Sequence, residues 1–229
     1  RAKVNQTAAS QSIERTLDAA VYTDYRTMLK NERLDAVYVC LPPFVHGDPE
    51  EAVIEAGAHL FVEKPVALDL ALASGILEKL RAKDLISSVG YQLRYLPSID
   101  KAKELASERT VGMVVAMRFG GLPGVPWYPV QEKSGGQLVE QATHHVDQLR
   151  YILGEVDTVY AAGATRIHNR TNPAFDIFDV NCMTMTFANG VVANFANNTI
   201  SGHASPAMAK GVHIFCDGMT ISHALGGPL

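Results

Sequence analysis

DAVYVCLPPFVHGDPEEAVIEAGAHLFVEKPVAL, residues 35–68, contains two short apolar runs separated by a polar stretch of helical length. The first run, 35–41, is rich in valine and stops at Pro42-Pro43; the second, 59–62, stops at Glu63-Lys64-Pro65. Apolar runs bounded by turn residues read as strands buried on both faces. Between them Asp48 reads as an N-cap, Pro49 as the first helical residue and Glu50 and Glu51 as first-turn acids, with Gly57 ending the helix. A helical pattern over 69–82 and a strand-like run over 86–91 continue the alternation, and helical patterns over 6–17 and 24–29 precede it. Strands alternating with helices are parallel with right-handed crossovers, so the fold class is α/β. Ligands of open parallel sheets bind outside the carboxyl ends of the strands. Leu41, Pro42, Pro43, His46, Glu63, Lys64 and Gln92 lie at or just past such ends, which gathers them along one edge.

Beyond Tyr95 the pattern changes. A helix over 97–106 leads to a strand over 113–119 and to the Gly/Pro-rich loop GGLPGVPWYP (120–129), which carries the single tryptophan, Trp127. From Glu155 onward, strand-like runs at 158–167, 178–187, 191–200 and 211–216 are punctuated by Asn189-Gly190 and Asp217-Gly218, both strong hairpin signals. Two units follow: a truncated Rossmann-like parallel-sheet domain, residues 1–92, and an α+β domain with a largely antiparallel open sheet, residues 93–229.

The bulk composition bounds the function. The chain has 229 residues, of which 47% are hydrophobic and 19% charged, the profile of a soluble globular protein. A net charge of -4 without a Lys/Arg cluster offers no attraction for nucleic acid or anionic membrane. The three cysteines, Cys40, Cys182 and Cys216, are widely spaced and indicate neither a disulfide framework nor a thiolate metal site. A cytoplasmic location is the default expectation. No stretch reads as a membrane span or signal peptide.

The stretch SGGQLVEQATHHVDQLRYILGE (134–155) reads as one long helix, with Ser134 and Gln137 as a capping box and Gly154 as the C-terminal cap. At 100° per residue Leu138, Ala142, Val146, Leu149 and Leu153 form an apolar stripe, and Glu140, His144, Asp147 and Tyr151 gather opposite. That second face reads either as a solvated surface or as a site. Glu140 and His144 stand at i and i+4, where the carboxylate can fix the imidazole tautomer and raise its basicity. His145 points toward the apolar flank and reads as a packed structural histidine. Glu140, His144 and Asp147 could also ligate an ion, but no HExxH and no second His/Cys cluster supports a metal.

Together with VGYQLRY (89–95), these motifs resemble the Gfo/Idh/MocA family of NAD(P)-dependent sugar and polyol oxidoreductases, from about Asp24 to the Asn189-Gly190 hairpin and weakly beyond. The resemblance implies a dinucleotide domain joined to an open-sheet substrate domain, with NAD or NADP as cofactor and a sugar, polyol or cyclitol as substrate. It also implies that Lys64 contacts both nicotinamide ribose and substrate, and that His144 is the proton acceptor or donor. The acid preceding the histidine is commonly Asp in the family and is Glu140 here. Alcohol oxidation needs a base for the hydroxyl proton and a cation near the developing oxygen charge, which suits His144 and Lys64. X-Pro bonds are cis in only about one case in twenty; a cis Lys64-Pro65 bond would aim the lysine sharply.

Other positions carry two readings each. Pro42 and Pro43 end the strand beside the cofactor or simply terminate it. His46 caps the following helix or touches cofactor. Arg94 binds an anionic group or braces the domain junction. Trp127 stacks on a sugar or anchors its loop. The G-x-G-x-x-G turn and the ribose-reading acid of a dinucleotide domain are not found in these residues. The chain is therefore expected to be a piece of a longer protein that binds NAD poorly by itself. Redox-assisted glycoside cleavage and a non-catalytic sugar or cofactor sensor are the competing readings. Pairing of copies through the open sheet face is expected.

Overall fold

In the computed structural model of the chain, residues 19–202 and 210–224 are described; the helical pattern at 6–17 lies outside them. Helix α1 (Tyr25–Asn31) is capped by Asp24, whose carboxylate accepts from the amides of Arg26 and Thr27 at 3.1 and 3.3 Å. Next come β1 (Ala36–Val39), α2 (Asp48–Glu55), β2 (His59–Val62), α3 (Leu70–Ala82) and β3 (Ser87–Val89). The strands form a parallel sheet in the order β1-β2-β3, with Val39, Val62 and Val89 in one row.

One face of this sheet is closed. Val39, Leu60 and Val62 pack against Val53 and Ile54 of α2 and Ile76 and Leu80 of α3. The expectation that both faces of the first strand are buried is corrected: Tyr38 is 71% exposed and stacks on Phe61 at 4.7 Å. Tyr38 and Phe61 share a row on the face that α2 and α3 do not cover.

The start of α2 also differs from expectation. Gly47, at φ +120, occupies the N-cap, and Asp48 is the first helical residue. The Glu50 carboxylate accepts the Gly47 amide at 2.6 Å and pairs with His46 Nδ1 at 2.5 Å, both side chains wholly buried. Because Glu50 takes the inward position, Asp48 turns outward to Tyr25 and Arg26.

A 3-10 turn at Gln92–Tyr95 links the two halves, followed by α4 (Pro97–Ser107) and β4 (Val111–Phe119). Three short helices, α5 (Gln131–Ser134), α6 (Gly136–Glu140) and α7 (Thr143–Leu153), precede β5 (Val156–Ala164), β6 (Val180–Phe187), β7 (Val192–Asn198), β8 (Lys210–Cys216) and β9 (Met219–Ala224). The six strands order as β5-β6-β7-β4-β8-β9. All neighbours are antiparallel except β4 and β7, so the sheet is largely antiparallel as read. Ala102 and Ala106 of α4 and Leu149 and Leu153 of α7 cover its inner face, against Val114, Ala116, Met185, Phe195 and Ile214. Each of the leucine, valine, isoleucine, methionine and phenylalanine side chains among them contributes about 1.5–3 kcal/mol by leaving water.

The single helix expected over 134–154 is instead three pieces. Gly135 and Gly136, at φ +70 and +80, turn the chain between α5 and α6, and Ser134 accepts from the Gly136 amide at 3.0 Å rather than opening a capping box. Between α6 and α7 the amide of Ala142 bonds back to the Gln137 carbonyl at 2.8 Å, five residues away. The predicted apolar stripe survives this break: Ala142, Leu149 and Leu153 are buried, and Leu138 and Val146 pack against the same core.

Candidate active site

Lys64 stands at the carboxyl end of β2, where parallel pairing with β1 and β3 ends, and its peptide bond to Pro65 is cis. Its ammonium crosses to the other half of the molecule and donates to Glu140 twice, to the backbone carbonyl and to Oε1, each at 2.7 Å. The carbonyl of Glu140 is the acceptor that an uninterrupted helix would offer to the amide of His144. Giving it to Lys64 coincides with the break between α6 and α7, which sequence periodicity does not register.

The break changes the partner of Glu140. The expected Glu140–His144 pair is corrected: Glu140 Oε1 is held by Lys64 and Oε2 by Gln141 Nε2 at 2.6 Å, and His144 Nδ1 is buried without a hydrogen-bond partner. The expected rise in basicity is corrected too. Burial first, and then the Lys64 cation, push His144 down to about 4, against smaller opposing effects of Asp147 and Glu140. The ring is therefore neutral at pH 7. Its ring stands perpendicular to that of Tyr91, with centroids 6.1 Å apart at 89°, while Tyr91 Oη and Thr143 Oγ1 lie 3.2 Å apart. His145 is 2% exposed and stacks on Phe195, the structural role expected of it.

Asp147, one turn beyond His144, is buried and takes both Arg94 Nε, at 2.9 Å, and the Arg94 terminal nitrogen. The guanidinium also lies 5.2 Å from the Tyr151 ring centroid. Arg94 thus braces the junction between the halves, with its charge matched by Asp147. Among the described residues, no group of three or more His, Cys, Asp or Glu side chains is placed to hold a metal ion.

Four site residues escaped the sequence reading: Tyr91, Thr143, Gln141 and Arg118. The guanidinium of Arg118 donates to Gln141 Oε1 at 2.6 Å, and Gln141 passes the contact on to Glu140 and so to Lys64. Arg118 had a legible signal. It follows Val114 and Ala116 at strand period two, so a charged residue takes an inward position in an apolar row.

Residues 4–91 match the model described as "Oxidoreductase family, NAD-binding Rossmann fold", and residues 99–222 match that of the GFO/IDH/MocA C-terminal domain. The chain belongs to the GFO/IDH/MocA family. Among curated relatives, it is 33% identical over 184 residues to "Uncharacterized oxidoreductase YrbE" of Bacillus subtilis, which covers 78% of this chain and 52% of that protein. It is 28% identical over 179 residues to the myo-inositol 2-dehydrogenase of Thermotoga maritima, covering 77% and 53%. The chain spans about half the length of these curated relatives. Its fold superposes on the WlbA dehydrogenase from Bordetella pertussis, solved with NADH and UDP-GlcNAcA, with a TM-score of 0.82 at 21% identity, covering 93% of this chain and 62% of that one.

Ligands of open parallel sheets bind outside the carboxyl ends of the strands, and the residues at that edge fit such a use unevenly. Leu41 and Pro42 are half-buried there, and Pro43 begins a 3-10 turn. Gly90 sits so close to Glu63 that a Cβ would lie 2.8 Å from Oε2, so the strand end is a tight backbone ledge beside an acid. Gln92 is exposed just past it. His46 is turned inward, with Nδ1 on Glu50 and Nε2 3.1 Å from the Leu41 carbonyl, so it holds the ledge from behind. Trp127 is packed against Phe44 and Tyr128, with centroids 6.2 and 6.1 Å away, which ties its loop to the Pro43 turn.

Proposed function

We propose that the protein carrying this chain oxidises a secondary hydroxyl of a sugar, polyol or cyclitol, with NAD or NADP as hydride acceptor. The observation that carries the reading is that one cluster, built from both halves, contains a lysine with donor capacity to spare and a neutral, half-buried histidine. An ammonium has three N–H groups. Glu140 takes two from Lys64, which leaves one for a substrate oxygen. His144 accepts the hydroxyl proton as hydride leaves the same carbon, and Lys64 steadies the oxygen while its charge develops. The cofactor supplies only the hydride-accepting carbon. Glu140 fixes the lysine in place, and Tyr91 and Thr143 wall the imidazole.

Family relatives support the substrate class. Besides the Thermotoga enzyme, a Bacillus subtilis protein named scyllo-inositol 2-dehydrogenase (NAD(+)) is 30% identical over 138 residues. The test is a screen of cyclitols, polyols and aldoses for NADH or NADPH formation by the full-length gene product. Turnover of at least one, lost in both Lys64→Met and His144→Gln, is the expected result; turnover that survives both variants contradicts the assignment.

We also propose that the outer face of the six-stranded sheet pairs with a second copy. Three rows cross that face: Thr158, Thr186, Val192, Met113, Phe215 and Thr220 form one, and Tyr160, Thr184, Asn194, Val115, His213 and Ser222 the next. Ala162, Cys182, Ala196, Met117, Gly211 and Ala224 form the third. None is an acid, lysine or arginine. A flat uncharged sheet face of this kind is an interface candidate.

A further inference from the structure

We propose that Arg118 anchors a carboxylate on the substrate, so that the favoured substrate is a sugar or polyol acid; this rests on the dehydrogenase reading of the same site. Arg118 is nine-tenths buried, and its Nη1 nitrogen has no hydrogen-bond partner. Its hydrogen bond goes to the neutral amide oxygen of Gln141. Glu140 is within electrostatic reach, but both its oxygens are already occupied by Lys64 and Gln141. Nearby charges otherwise cancel: Lys64 against Glu140, Arg94 against Asp147, with His144 neutral. Arg118, by contrast, has no carboxylate among its hydrogen-bond partners, and its register partner on β8, Lys210, brings no counterion. A buried guanidinium without a counterion is costly, and a guanidinium stays protonated.

The neighbouring strand adds a second donor. Asn197 is the register partner of Arg118 on β7, is 2% exposed, and has an Nδ2 without a partner, while its Oδ1 receives Asn181 Nδ2 at 3.2 Å. Two unpartnered N–H donors on paired strands, one of them on a guanidinium, match the two oxygens of a carboxylate. A neutral sugar leaves the guanidinium without a carboxylate partner.

The test uses binding, so that it does not depend on turnover. Affinities of the NADH-loaded full-length gene product are measured by calorimetry for matched pairs: glucose and glucuronate, galactose and galacturonate, mannose and mannuronate. At least one acid is expected to bind about tenfold or more tightly than its neutral counterpart. Arg118→Met and Asn197→Asp should each bring that ratio to about one. The second variant is nearly isosteric and supplies Arg118 with an internal counterion, so it also serves should Arg118→Met fail to fold. Neutral sugars binding as well as their acids, no acid binding, or an acid preference that survives Asn197→Asp overturns the proposal. NADH formation from neutral sugars without acid preference removes the carboxylate and leaves the dehydrogenase standing. Acid preference without NADH formation from any sugar or acid does the reverse.

Discussion

Lys64 Nζ lies 2.7 Å from both the backbone carbonyl and the Oε1 of Glu140, a residue 76 positions further along the chain. One ammonium therefore joins the end of a parallel strand to the end of a helix in the other half. Replacing it by methionine removes the cation proposed to steady the reacting oxygen and strips the buried Glu140 of its counterion. We expect kcat/KM to fall about 10²–10³-fold and denaturant stability to drop about 1–3 kcal/mol. Steady-state kinetics and urea melts of the full-length protein measure the two effects separately.

His144 has its pKa pushed down to about 4 from the ordinary 6.5. The sign for stability follows from linkage. In this window the unfolded chain takes up the proton before the folded one, so the contribution is present above about pH 6.5 and is lost as pH falls toward 4. For activity, the acid limb of kcat/KM for alcohol oxidation should lie well below 6.5. Reduction, which needs the protonated ring, should improve toward acid pH. Histidine-edited NMR of the protein gives the pKa directly, and in Lys64→Met it should rise, since a depressing cation is gone.

Asp147 is buried at the domain junction and receives two nitrogens of a partly exposed Arg94. Asp147→Asn keeps the shape but removes the charge, leaving the guanidinium half-matched. A loss of about 1–3 kcal/mol is expected, with a rise in KM as the two halves lose their brace. Thermal melts and substrate saturation curves check both; wild-type values for both would remove Arg94–Asp147 from the junction.

Much of this site was legible because strand ends and helix faces are local patterns. The apolar runs ending in Pro42-Pro43 and Glu63-Lys64-Pro65 put Lys64 on a sheet edge, and the 3.6-residue period put His144 and Asp147 on one side of a helix and His145 on the other. The break between Glu140 and Thr143 was not legible. Its determinants are contacts from residues 64 and 118, and a helix-compatible sequence was bent by partners distant in the chain. The same contacts moved Glu140 from histidine to lysine. His46 was ambiguous for a similar reason: only the fold reveals that Glu50 and the Leu41 carbonyl consume both ring nitrogens.

Tyr160 and Val192 are 77% and 43% exposed on the uncharged outer face of the large sheet. Pairing through this face predicts a dimer or larger assembly in sedimentation equilibrium. Tyr160→Glu combined with Val192→Asp should shift it toward monomer without loss of the far-ultraviolet circular dichroism spectrum. A monomeric wild type, or an assembly untouched by the two acids, places the contact elsewhere.

The most direct test of the assigned chemistry is single-turnover hydride transfer at neutral pH in the full-length protein and its His144→Gln variant, with NADH affinity measured alongside. The account predicts a rate about 10²–10⁴-fold lower in the variant, with cofactor affinity little altered, because the role proposed for His144 is to take the substrate proton and not to hold the nucleotide. A His144→Gln protein that transfers hydride at the wild-type rate would contradict it.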